Sequence, residues 1–235
     1  IGRKGLAPPQ EPTLTMAAAG RQLAPHLAIK LMADGGLPTP PFALATTPEA
    51  AARIAGELGF SVVLKISSPD IVHKSDVGGV RLNLSSPEAV AKAGEELLVA
   101  VRHALPKARL EGLLVCRMAP PGVEVIVGMN RDFQFGPVIL FGLGGVLVEA
   151  FRDVSLRHLP LSREDARSML REIRGCRLLS GYRGRPPVDE AALVECILKV
   201  AEIATKHPEI QELDLNPVLA YPEGIMVVDA RVIVR

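Results

Sequence analysis

The sequence predicts an α+β (α/β) fold, and three observations carry that expectation. Two strand-like runs within Val62 to Leu84 are flanked on both sides by helical periodicity. From Leu110 the chain turns strand-rich. Two amphipathic helices then precede a closing pair of strands. At 235 residues the chain exceeds the usual ~100–200 residues of one domain, so one large domain or two subdomains fit, with a core that needs no staple.

Composition excludes several function classes. Lys and Arg number 27 against 26 Asp and Glu, a net charge of +1, and the aromatics are six Phe, two Tyr and no Trp. Neither a basic footprint nor a base-stacking surface is indicated, so no nucleic-acid partner is expected. No apolar run approaches the ~18–20 residues of a membrane span, and IGRKGLAPPQEP lacks the apolar core of a signal peptide. Cys116, Cys176 and Cys196 are odd in number and sit in apolar contexts. They read as buried thiols in a reducing compartment, the cytoplasm by default. The chain begins with Ile1 rather than Met, which suggests a processed or truncated chain or a piece of a longer protein.

In chain order, residues 1–19 read as a linker or arm, with three prolines and two glycines in the first fifteen. A helix is expected from about Arg21 to Asp34, with Leu23, Leu27 and Leu31 on one face and Pro25 in its first turn. LPTPPFALA reads as extended. Thr47-Pro48-Glu49 and Ser86-Pro87-Glu88 each combine a capping hydroxyl, a proline at the first helical position and an acid near the positive helix end. The first of these helices stops at Gly59. The second buries Val90, Leu97, Leu98 and Val101. LEGLLVCRM, GVEVIVGM and GPVILFG read as one antiparallel sheet with turns at Pro120-Pro121-Gly122 and between Asp132 and Gly136. Ser162 with Asp165 forms a capping box, Asp189 caps another helix, and the strands ELDLN and IMVVDARVIV close the chain.

The chemistry-bearing residues cluster around the first strand pair. Lys65 interrupts VVLKI, a strand apolar on both faces, where a lysine needs an anion, either an internal carboxylate or a phosphate. Gly78-Gly79 follows a polar loop and would let backbone N–H groups approach phosphate oxygens. His73 lies between them. It is either a surface residue or a nucleophile whose unprotonated ring nitrogen attacks phosphorus. His26, His103, His158 and His207 lack such a context and read as structural. Asp214 and Asn216 alternate onto one strand face, and Asp229 interrupts an apolar run. With Asn216 they offer hard oxygen ligands for Mg²⁺ shared with phosphates. The competing reading is a salt bridge to Arg231 or a turn-capping Asn216. Glu124 and Glu149 are ordinary exposed glutamates on spacing alone.

SPDIVHKSDVGGVRL, GVEVIVGMNRDFQFGPVILFGLGG, VEAFRDVSLR, GYRGRP, LDLNPVLAYPEG and VDAR together resemble the ATP-grasp (beta) part of the ADP-forming acyl-CoA synthetases, relatives of succinyl-CoA synthetase. The resemblance covers roughly Gly20 to the C-terminus. It implies an ATP-grasp fold, two α+β subdomains clasping a nucleotide, with residues 20–110 and 111–235 on either side of a division near Glu111. It also implies that Lys65, Gly78 and Gly79 hold ATP phosphates and that Asn216 and Asp229, assisted by Asp214, bind Mg²⁺. The chain around Arg117-Met118 would read adenine and Glu124 the ribose. His73 matches the family's second phosphorylatable histidine, which passes a phosphoryl group between ATP/ADP and a histidine on an alpha part. Cys116-Arg117 departs from the more polar pair often found at the hinge.

No G-x-G-x-x-G follows a first strand, so a CoA-binding domain is not evident in the sequence. The resemblance therefore implies an alpha (CoA-binding) subunit, in a hetero-oligomer, or a fused N-terminal domain. Two other readings remain open at this level. One is a nucleotide-binding regulatory module of a fused acetyltransferase-like protein. The other is an ATP-grasp carboxylate–amine ligase with its own acid and amine pocket.

Overall fold

The structure is a computed structural model that describes residues 20–72, 74, 76–145 and 153–235. Two sheets organise it. The four-stranded sheet has the order β2-β5-β3-β4, from β2 (Phe42–Ala45), β3 (Val62–Ser67), β4 (Val80–Leu84) and β5 (Gly112–Arg117). The seven-stranded sheet runs β1 (Arg21–Gln22), β11 (Arg231–Val234), β9 (Ile210–Ala220), β6 (Val123–Asp132), β7 (Gly136–Leu143) and β8 (Val154–His158), with β10 (Ile225–Val227) paired to β9. All the strand pairs are antiparallel.

The helices start where capping chemistry places them. Thr47 Oγ1 and Ser86 Oγ each accept a backbone N–H at 3.2 Å, from Ala50 and Ala89, opening α2 (Pro48–Leu58) and α3 (Pro87–Ala104). Ser162 and Asp165 exchange capping bonds at 3.1 and 2.9 Å at the head of α4 (Arg163–Glu172). Asp189 Oδ1 accepts from Ala192 at 2.9 Å and opens α5 (Glu190–Lys206). Helices α2 and α3 cover the four-stranded sheet through Ala51, Ala55, Val90 and Leu97, while α4 and α5 cover the seven-stranded one through Met169, Leu170, Ile197 and Val200. Among the described residues, Phe141 is the largest wholly buried side chain.

Several expectations are corrected by the pairing. The first helix, α1, spans Pro25–Asp34 rather than starting at Arg21. Arg21 and Gln22 instead pair with Val234 and Ile233, and Pro25, which has no N–H to donate, sits in the first helical turn. Residues 112–117 do not join the sheet of residues 123–143. They pair with β2 and β3, so the sheets change between Arg117 and Val123 rather than at Glu111. Likewise α1 contributes Ala28, Ile29 and Met32 to the core of the other sheet. The apolar run IMVVDARVIV is two strands, because residues 228–230 leave the ladder. The arm at residues 1–19 lies outside the described residues.

Candidate functional site

A cleft of about 850 Å³ lies between the two sheets, large enough for a nucleotide. Lys65 of β3 and Lys74 of the loop after it line it from one side, Asp214 and Asn216 of β9 and Asp229 of the break before β11 from the other, and residues 116–122 and Glu124 at the connection. The Lys65 side chain is one-tenth exposed. Its Nζ donates to the Val228 carbonyl at 2.7 Å and meets Asp229 Oδ1 at 3.3 Å. Lys74 Nζ lies 3.0 Å from Asp229 Oδ2. One carboxylate thus stands between two ammonium groups.

The electrostatics follow from that triad. Burial pulls the Lys65 ammonium down, but Asp229 more than offsets this, so its pKa lies above the ordinary value. Burial pushes the Asp229 carboxyl up, and the two lysines reverse the sign, holding it below the ordinary range. Burial raises the adjacent Cys116 thiol despite the pull of Lys65. Cys116 and Cys196 are buried, as the sequence suggests, whereas Cys176 is half-buried. Cys196 is pushed up to about 12 by burial.

The loop between β3 and β4 is shaped by its glycines. Gly78 has φ +63°. Gly79 donates its N–H to the Lys74 carbonyl at 2.7 Å and its carbonyl accepts from Ile66 at 2.8 Å. A Cβ at Gly79 would meet Ile66 Cγ2 at 2.7 Å and the Lys74 oxygen at 2.8 Å. The amide of Gly79 therefore closes the loop on itself. Arg81 Nη1 donates to the Gly78 carbonyl at 2.7 Å. His73 lies outside the described residues, and the residues on either side of it, Val72 and Lys74, both line the cleft. Glu149 also lies outside them.

At the connection between the sheets, Arg117 and Met118 donate their amides to the Pro41 and Ser61 carbonyls, at 2.9 and 2.8 Å. Tyr221 braces the same stretch through its hydroxyl, which donates to the Pro120 carbonyl at 2.9 Å. Glu124 is exposed at the head of β6, and its main-chain oxygen accepts from Gly144 at 2.8 Å. Asp214 Oδ2 faces Arg231 Nε at 3.9 Å, and Glu212 meets the same arginine at 3.3 Å. Asp214 is thus engaged by Arg231, the alternative that spacing left open. The Val228 amide donates to the Pro217 carbonyl at 3.3 Å, which keeps Asp229 beside the strand that carries Asn216.

Among the described residues, no group of three His, Cys, Asp or Glu could hold a metal ion. The oxygen donors of Asn216 and Asp229 suit a hard cation that takes its remaining ligands from a polyphosphate and water. Sequence reasoning did not single out Lys74. Its one signal is its place next to His73 in a polar loop, and only the fold brings it to Asp229.

Residues 15–234 match the ATP-grasp domain family model. The chain is 45% identical over 216 residues to the acetate–CoA ligase [ADP-forming] I subunit beta of Pyrococcus furiosus, covering 92% of this chain and 93% of that one. It is 47% identical to the acetate–CoA ligase [ADP-forming] I of Archaeoglobus fulgidus over 84% of this chain but only 29% of that protein. An acetyl-coenzyme A synthetase of Ca. Korarchaeum cryptofilum, solved with coenzyme A and Ca-AMPCP, superposes with a TM-score of 0.89 at 51% identity over 92% of this chain and 94% of that one. Another structure of that protein is described as carrying a phosphorylated phosphohistidine segment. The two-sheet architecture, the cleft and these relatives together show that the chain belongs to the ATP-grasp family, as a homologue of the beta part of ADP-forming acyl-CoA synthetases.

Proposed function

We propose that the chain is the nucleotide-binding, phosphoryl-transferring beta part of an ADP-forming acyl-CoA synthetase, catalysing its share of ATP + carboxylic acid + CoA ⇌ ADP + phosphate + acyl-CoA. The observation that carries this reading is the Lys65–Asp229–Lys74 cluster, which sets two ammonium groups and one carboxylate in a nucleotide-sized cleft beside the loop of His73. Two cations against one anion leave an excess positive charge that a polyphosphate would satisfy.

An unprotonated ring nitrogen of His73 attacks the γ-phosphorus. The N–P bond forms as the bond from phosphorus to the bridging oxygen breaks, and the electron pair leaves on ADP. Lys65 neutralises charge on the phosphates. Asn216 and Asp229, with Asp214 beside them, would hold Mg²⁺, which when bound screens the polyphosphate and orients it. The hinge at Arg117-Met118 would read adenine through groups other than its two amides, which are already bonded to Pro41 and Ser61. Glu124 would take the ribose hydroxyls. Gly78 and Gly79 act by shaping the loop around the phosphates.

The phosphoryl group then passes to a histidine on an alpha (CoA-binding) part, either a separate subunit in a hetero-oligomer or a fused domain. The two layers correspond to the two clasping subdomains, with the connection at residues 118–122. The free cysteines favour a cytoplasmic setting. Among the described residues, no helix is long and apolar enough to cross a membrane.

The test is acid-labile labelling from [γ-³²P]ATP and Mg²⁺ with the matching alpha part present. The label is expected on the wild type and absent from His73→Asn. A His73→Asn protein that labels as well as wild type overturns the assignment.

A further inference from the structure

In the loop after β3, Lys74 is fixed at two points. Its carbonyl accepts the Gly79 N–H at 2.7 Å, and its ammonium lies 3.0 Å from Asp229 Oδ2 with a tenth of the side chain exposed. A lysine on a surface loop normally keeps its flexible stem and strongly hydrated ammonium in water. Burying this one and fixing its rotamers costs side-chain entropy and hydration.

Neutralising Asp229 does not require that cost. Lys65 already faces the other oxygen of Asp229, and it also donates to the neighbouring Val228 carbonyl. What Lys74 adds is a connection. It ties the loop that follows one sheet to a residue carried by the other, across the nucleotide cleft. Lys74 directly follows His73 in the sequence, so the tether acts next to the proposed phosphoryl carrier.

We propose that Lys74 is a positioning residue for phosphoryl transfer, docking the loop on the nucleotide side of the cleft through Asp229. The inference rests on the reading of His73 as the phosphoryl carrier. It differs from a role as a phosphate ligand, because a docking residue changes the transfer rate at saturating nucleotide and leaves nucleotide affinity nearly alone.

Three measurements on the wild type, Lys74→Met and Lys74→Arg, each with the alpha part, test it. They are hydrogen–deuterium exchange of the Gly79 amide, affinity for a non-hydrolysable ATP analogue, and the single-turnover rate of acid-labile ³²P labelling at saturating ATP. In Lys74→Met the Gly79 amide is expected to exchange about 10-fold faster. Labelling is expected to slow about 10- to 100-fold, and analogue affinity to stay within about 3-fold. Lys74→Arg should recover part of both losses, since a guanidinium can also pair with Asp229.

Unchanged exchange in Lys74→Met overturns the tether whatever labelling does. Faster exchange with wild-type labelling overturns the role in transfer. A fall in labelling matched by an equal fall in analogue affinity makes Lys74 a phosphate ligand and overturns docking. A wild type that carries no acid-labile phosphate sinks the His73 reading and the role in transfer with it, while the exchange comparison still decides the tether.

Discussion

The Lys65 ammonium lies 3.3 Å from Asp229 Oδ1 and 2.7 Å from the Val228 carbonyl, and these contacts join β3 of one sheet to the break between β10 and β11 of the other. A side chain buried in a wholly buried strand thus spans the cleft. The strand supplies rigidity, and the lysine projects from it to where a phosphate would sit.

Lys65→Met is expected to lower the labelling rate about 10²- to 10³-fold, since the lost cation is preorganised and partly desolvated. Asp229 keeps Lys74 as a partner, so the fold should survive, as circular dichroism would show. The folded-state pKa of Lys65 is raised. Its stabilising contribution is therefore complete below the unfolded value of 10.5 and is lost only as pH rises through the higher folded value. The thermal midpoints of wild type and Lys65→Met should keep a constant difference from pH 7 to pH 9. A difference that shrinks over that range would refute the assigned charge state.

The two loop glycines should respond differently to alanine. At Gly78, among the described residues only Arg81 Nη1 approaches a new Cβ, at 3.9 Å, so the cost is that of φ +63°, about 1–2 kcal/mol. At Gly79 the Cβ meets both Ile66 and the Lys74 carbonyl, so the loop must shift. Labelling should fall further in Gly79→Ala than in Gly78→Ala. Equal rates would show that the Gly79 closure does not hold the loop.

Asp189 caps α5 and also accepts the Gly224 N–H at 2.9 Å, tying the helix start to the turn between β9 and β10. These backbone hydrogen bonds, first that of Ala192, hold its carboxyl below the ordinary 3.8. A depressed folded pKa means the stabilisation is present above the unfolded value and lost as pH falls through the folded one. Asp189→Ala should cost about 1–2 kcal/mol at neutral pH, and the difference from wild type should narrow below pH 3.8. Urea denaturation at both pH values checks this.

Asp214 and Asp229 should separate in a Mg²⁺ titration of labelling. Asp229 is shared between two lysines; Lys65 would turn to the phosphates when nucleotide arrives, freeing Oδ1 for the cation, while Lys74 stays on Oδ2. Asp214 faces Arg231 along the β9–β11 ladder. Asp229→Asn should raise the Mg²⁺ needed for half-maximal labelling about 10-fold or more, and Asp214→Asn should raise it less. The reverse order would exchange their roles.

Legibility in the sequence followed the range of the interactions. The starts of α2, α3, α4 and α5 were readable because a cap is made by residues three positions apart. Local pattern groups the strand starting at Gly112 with the strands that follow it, because its true partners at Phe42–Ala45 and Val62–Ser67 are distant in sequence and no local pattern names them. The apolar pattern puts Asp229 inside a strand, whereas the chain leaves the ladder there to meet Lys65, a residue 164 positions away. The salt bridge of Asp214 to Arg231 was visible only as an alternative, since register decides it.

By itself the sequence determined the mixed fold, the capped helices, the family resemblance and the residue types able to handle a phosphate, because these depend on local spacing and on motifs. Tertiary structure alone decided which lysines share Asp229, that the Gly79 amide is spent on Lys74, and where one sheet gives way to the other. Those outcomes depend on contacts between segments that the chain brings together only by folding, so no window of sequence contains them.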